Sequence, residues 1–167
     1  GDKEGYGMSA INELASSIAH FIWIDRNGQV RYQRRTAGGA TAPAGGIILD
    51  NAGAQLTPSA DPAISIAYQT SYKDVYMVWV STDNDELRYT ACRSTATSAA
   101  GNACDPIKIY RTGTGLNNPK LGFWGNPNEP MPIMWSDVNS VYFDKIITST
   151  FPIPSVTAVS TLPAAAY

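Results

Sequence analysis

The sequence predicts an all-β chain of three four-stranded antiparallel repeats, each about 56 residues long, at 1–56, 57–112 and 113–167. Three observations predict it. Trp23, Trp79 and Trp135 recur at successive intervals of 56 residues. Each closes a short apolar run and leads through a polar turn into a second strand-like stretch. Charged residues make only 16 % of the 167, with 14 glycines and 11 prolines punctuating the apolar runs. That charge is well below the roughly 25 % of an average soluble domain, and a 44 % hydrophobic, 10 % aromatic composition is not that of a disordered chain.

The elements follow in order. In the first repeat, His20-Phe21-Ile22-Trp23 and Gln29-Val30-Arg31-Tyr32 flank the turn Asp25-Arg26-Asn27-Gly28. Asn-Gly between two β-rich runs is a strong hairpin signal, because both residues tolerate the positive φ that tight turns demand. Gly46-Ile47-Ile48-Leu49 supplies a later strand, and Ser9–Leu14 an earlier element that reads as a strand or as part of a helix. In the second repeat the series is Ala63–Tyr68, Tyr76–Trp79, the turn Thr82–Asp85, Glu86–Tyr89 and Ile107–Tyr110. In the third it is Lys120–Trp124, Pro132–Trp135, the turn Asp137–Asn139, Ser140–Phe143 and Ser155–Val159. The Arg-Tyr pair after the turn recurs at Arg31-Tyr32 and Arg88-Tyr89, and Val141-Tyr142 replaces it in the third copy.

Sheets of this size leave edges and an apolar face to cover, so they need neighbours. Radial stacking gives a propeller of typically four to eight blades. Three blades do not close a ring, so the expected form is a homo-oligomer, two chains making six blades, or a part of a larger assembly. A twelve-stranded threefold barrel, the β-trefoil, is the alternative that needs no partner. A further alternative is a pilin-like α+β subunit, because Ile11, Leu14, Ile18 and Phe21 fall on one face of a helix over Ser9–Phe21.

Charge and cysteine usage narrow the setting. Fourteen acidic against 12 basic residues exclude a strongly basic nucleic-acid binder. No apolar run reaches the 18–20 or so residues of a membrane helix. The opening Gly1-Asp2-Lys3-Glu4 carries no leader, so the expectation is a processed chain or a piece of a longer one. Cys92 and Cys104 enclose a Ser/Thr/Ala/Gly/Asn stretch, which predicts a disulfide closing a loop and an extracellular or cell-surface location. Catalytic signals are few. His20 is the single histidine and sits in an apolar strand; no nucleophile elbow, metal-ligand spacing or phosphate loop occurs. Asp25, Asp83, Asp85, Glu86 and Asp137 cluster in turns, where carboxylates serve local hydrogen bonds. The expectation is a non-enzymatic chain with no cofactor and no metal.

The stretches Ile18–Tyr32 and Val75–Trp79 with Leu87–Tyr89 resemble blades of sugar-binding propeller lectins, the fucose-binding family in particular. The resemblance implies a glycan site between adjacent blades, with Arg and Glu bonding the hydroxyls and an aromatic ring stacking on the sugar. It puts Arg31, Arg88 and Glu86 in the polar roles, with Tyr32 and Tyr89 beside them. Trp124, in the glycine-flanked Gly122-Phe123-Trp124-Gly125, is the candidate stacking ring. The function expected is a secreted or surface carbohydrate-binding module; a structural subunit of an extracellular filament is the alternative. On this reading Trp124→Ala abolishes sugar binding and leaves the far-UV circular dichroism unchanged. An unaltered affinity in glycan titrations would remove Trp124 from the site.

Overall fold

The computed structural model describes residues 7–13, 17–36, 38, 41–51, 63–69, 74–81, 83, 85–93, 104–122, 131–146 and 160–163. Among them every regular element is a strand, and no helix occurs. β1 (Gly7–Asn12), β2 (Ile18–Ile24), β3 (Val30–Thr36) and β4 (Thr41–Asp50) form one antiparallel sheet in chain order. β5 (Ile64–Gln69), β6 (Asp74–Val80), β7 (Glu86–Arg93) and β8 (Lys108–Thr112) form a second. β9 (Asn117–Leu121), β10 (Met131–Ser136), β11 (Ser140–Ile146) and β12 (Ser160–Pro163) form a third.

Local chemistry explains the hairpins. Gly28 takes φ 79° and its N–H donates to the Asp25 carbonyl at 2.9 Å. The Asp25 carboxylate accepts the amides of Asn27 and Gln29, so the turn satisfies its own donors. Asp137 does the same for Asn139 and Ser140. Between β6 and β7, Ser81 Oγ accepts the Glu86 amide and donates to Asp85.

The N-terminal helix expectation is overturned. Ser9–Asn12 lie in β1 and Ile18–Phe21 in β2, paired antiparallel with Ile11 opposite His20. Within β2 the buried residues are His20, Ile22 and Ile24, a period of two that the helical spacing of Ile18 and Phe21 cannot satisfy. β2 also pairs along its whole length with β3, from Ile18–Thr36 to Ile24–Val30. Pairing on both edges outweighs a weak local helical preference; Leu14 lies outside the described residues. The pilin-like α+β alternative loses its motive with the helix. The trefoil alternative fails too, because the described strands form three separate four-stranded sheets with no pairing from one to another.

Register places Trp23, Trp79 and Trp135 at one position of their sheets: second strand, opposite Arg31, Arg88 and Tyr142 in the third. The face carrying the tryptophan is called the indole face of each sheet. The reverse face of the first sheet, with Ile22, Ile24, Val30 and Tyr32, packs on the indole face of the second, with Ile64, Ile66, Tyr68, Met77 and Trp79. The reverse face of the second sheet, with Val78, Val80, Leu87 and Tyr89, packs on the indole face of the third, with Ile133, Trp135 and Ile146. The middle sheet is therefore covered on both sides, and every residue of β6 is buried. Full burial of each large aliphatic side chain contributes about 1.5–3 kcal/mol. Between sheets, β5 meets β1 and β2 at the first seam, and β9 meets both β5 and β6 at the second.

The third sheet departs from the expected strands at its ends. Its first strand begins at Asn117 rather than Lys120, and its last lies at Ser160–Pro163. Phe123, Trp124 and Ser155–Val159 lie outside the described residues.

Cys92 at the end of β7 and Cys104 are disulfide-bonded, as the loop composition predicted. The bond brings Asp105 against the sheet, where its amide donates to the Ala91 carbonyl at 2.8 Å. Closing a loop of this length stabilises the fold by about 3 kcal/mol. Replacing both cysteines by alanine is expected to lower the melting temperature by roughly 6–12 °C. A thermal scan by circular dichroism reads this, and an unmoved midpoint would show that the cross-link does not constrain the unfolded chain.

Candidate functional site

Where the first two sheets meet, the last residue of β4 reaches across the seam. The Asp50 carboxylate accepts the Trp79 indole N–H at 2.9 Å and an Arg88 N–H at 2.8 Å. Arg88 also donates through Nε to Glu86 at 2.7 Å, and its Nη2 forms an ion pair with the same carboxylate oxygen at 2.7 Å. Residues 86 and 88 stand two apart on β7, so both side chains project to one face. Burial works against the Arg88 charge, but the hydrogen bonds from Asp50 and Glu86 more than offset it, and its pKa is raised. Asp50 is buried, while the Arg88 and Glu86 side chains keep 20 % and 24 % of their surface in solvent. The cluster is thus a fixed, wet-edged set of charges and not a sealed core pair.

Beside it opens a cleft of about 610 Å³, within the range of small-molecule sites. Ile47, Ile48 and Leu49 of β4 form one wall; Thr90, Asp105, Pro106 and Ile107 form the other with the disulfide's Cys104. The second wall is held in place, since Thr90 Oγ1 donates to the Asp105 carbonyl at 2.7 Å. Ile48 and Ile107 are exposed at the rim. Thr90 lies two residues beyond Arg88 on the same face of β7, about 7 Å along the strand. Asp50, Glu86 and Arg88 are not themselves in the lining; Leu49 and Thr90 adjoin them, Leu49 next to Asp50 in the chain and Thr90 two residues from Arg88.

The sequence-predicted residues divide. Glu86 and Arg88 come together as expected. Arg31 lies on the indole face of the first sheet, hydrogen-bonded to Asp25 at 2.6 Å and to Gln29 at 2.9 Å. Tyr32 is buried on the reverse face, its hydroxyl 2.8 Å from His20 Nδ1. Tyr89 is also buried, in edge contact with Tyr110, and burial pushes its hydroxyl to about 12. Neither tyrosine offers a ring face to a ligand in solvent. Trp124 lies outside the described residues. Sequence reasoning missed Asp50, Thr90 and the cleft walls. The only local signal for Asp50 was a carboxylate ending the apolar run Ile47-Ile48-Leu49.

His20 belongs to the packing between these sheets. Its Nε2 lies 2.8 Å from the Glu13 carboxylate, and its ring stacks on Tyr32 and Tyr68. Burial lowers its pKa, against the pull of Glu13 in the other direction, so the ring is neutral. Nε2–H then donates to Glu13, and Nδ1 accepts the Tyr32 hydroxyl proton. Of the turn carboxylates, Asp25 and Asp137 are occupied by backbone amides and by Arg31 and Tyr142 respectively. Among the described residues no three His, Cys, Asp or Glu side chains converge as a metal set. No protein-family model matches the chain, and no curated protein matches it.

Behind the cleft, Asp74, Ala91, Arg93 and Asp105 line a cavity of about 30 Å³. Burial pushes the Asp74 carboxyl up to about 6; Arg93 opposes the shift and Asp105 adds to it. The folded state therefore holds a proton that the unfolded chain releases near pH 4. Between pH 4 and 6 the folded chain binds more protons, so stability falls as pH rises, by on the order of 1–3 kcal/mol. Urea titrations at pH 4 and pH 7 should show this loss in the wild type and a smaller one in Asp74→Asn. Equal losses in both would assign the slope to another group.

Proposed function

We propose that the chain is a non-enzymatic, extracellular carbohydrate-binding module of three propeller-blade-like repeats, taking a glycan in the seam between its first two sheets. The observation that carries this reading is an open, aliphatic-walled cleft whose Leu49 and Thr90 adjoin the residues of the Arg88–Glu86–Asp50 cluster. A pyranose presents an apolar C–H face and a rim of hydroxyls. Ile48, Pro106 and Ile107 suit the first; a guanidinium and carboxylates suit the second, because hydrogen bonds with one charged partner are the stronger kind. Hydrogen bonds to Glu86 and Asp50 engage two of the five donors of Arg88, so the guanidinium keeps N–H groups for hydroxyls. Holding the cluster rigid before the ligand arrives reduces the entropy lost on binding.

Repetition supports the blade reading: three sheets of one strand order, a tryptophan at one register position in each, and first strands that approach one another. The disulfide fits an oxidising compartment. Binding is tested on a glycan array with folded, oxidised protein, followed by calorimetry on any sugar retained. Ile107→Glu puts a charge on the exposed rim without touching the core, and is expected to weaken binding at least tenfold with the melting temperature unchanged. A blank array, or unchanged affinity in Ile107→Glu, would refute this site.

A further inference from the structure

We infer that the reverse face of the third sheet is an interface for the indole face of the first sheet in a second copy of the chain, so that two chains close a six-sheet ring. Inside one chain the same contact is made twice. The reverse face of the first sheet meets the indole face of the second, and the reverse face of the second meets the indole face of the third. Cross-strand register identifies which side chains make it. On the first sheet they are the pairs Ile22–Tyr32 and Ile24–Val30; on the second, Val78–Tyr89 and Val80–Leu87. All eight are buried.

The same two pairs on the third sheet are Met134–Phe143 and Ser136–Val141. Here Met134 is 44 %, Val141 41 % and Phe143 45 % exposed. Large apolar residues thus stand in solvent at the positions that the other two sheets cover with a following indole face. Among the described residues, the indole face left without a sheet over it is that of the first sheet. It carries Trp23 opposite Met8 and Phe21 opposite Ala10, with Met8 64 % exposed and Trp23 only partly covered. The Trp23 indole packs against β4 at Gly46, which takes φ 74°; a Cβ there would stand 2.6 Å from the indole Cη2.

The two faces are unlike, so the contact is head-to-tail, and such contacts form rings when the rotation closes. Two chains supply six sheets, inside the four to eight of closed propellers. A face of four six-residue strands spans roughly 19 by 20 Å, so two such contacts cover on the order of 1,500 Å² in all, the size of a stable complex. The inference rests on the blade-like repetition of the proposed function and not on the glycan. A chain that pairs but binds no sugar refutes the sugar site alone.

Light scattering on the eluting protein tests it. The wild type is expected at twice the 17.9 kDa of one chain. Phe143→Glu and Met8→Glu each place a charge on one of the two faces, and each is expected to elute as a single chain with unchanged circular dichroism. A monomeric wild type overturns the inference. So does a dimer that survives Phe143→Glu, or one that Phe143→Glu breaks and Met8→Glu leaves intact, since that would mean a like-to-like contact.

Discussion

A four-stranded antiparallel sheet whose two faces are both largely apolar has no stable existence in water alone, and this constraint organises the whole molecule. β6 shows it most directly. Val75, Met77 and Trp79 face the first sheet while Tyr76, Val78 and Val80 face the third, and all are buried. Alternation along a strand delivers successive side chains to opposite faces, so a strand apolar at every position requires a sheet on either side. Stacking face to face supplies that cover, and it makes the middle sheet the support on which the other two depend.

Stacked apolar faces can slide, and buried polar groups restrict the sliding. Each seam carries its own set. Asp50 with Trp79 and Arg88 serves the first; the Tyr110 hydroxyl bonded to Asp144 at 2.8 Å serves the second. A donor or acceptor left unpaired in such a place costs about 1–3 kcal/mol, so a displaced register is penalised even where the apolar contact survives. Tyr110 also meets Trp135 edge-on, and Tyr142 stacks on the same indole with ring centres 5.4 Å apart. The seam that holds the Asp50 cluster is also where the outer strand β4 stands off from the Cys104–Ile107 segment, leaving the cleft. Structural hydrogen bonds and the candidate site share the same side chains.

Most strands were legible because their signals are local. Apolar runs ended by Asp/Asn turns mark β2, β3, β6, β7, β10 and β11, and the side-chain chemistry of Asp25 and Asp137 is written in the turns themselves. The helical pattern over Ser9–Phe21 misled because three or four apolar residues at spacings of three and four also occur in strands, and only pairing decides between them. The pairing of Arg31 with Tyr32, and of Arg88 with Tyr89, as joint ligand contacts ran against the period of two. Neighbours on a strand point to opposite faces, so one member of each pair goes to the interior, and in both pairs it is the tyrosine. Glu86 and Arg88, two apart, meet that period and do come together.

From its own order of residues the chain determined the strands, the hairpin turns, the disulfide and the three-fold recurrence of tryptophan, since each depends on neighbours a few positions away. Tertiary structure decided which face of each sheet is inside and which charges converge. Asp50 stands 29 residues from Trp79 and 38 from Arg88, and no short-range pattern encodes their meeting. It follows from the direction in which β4 leaves its sheet and from the sheet it leans on, both of which are properties of packed surfaces and not of the strand itself.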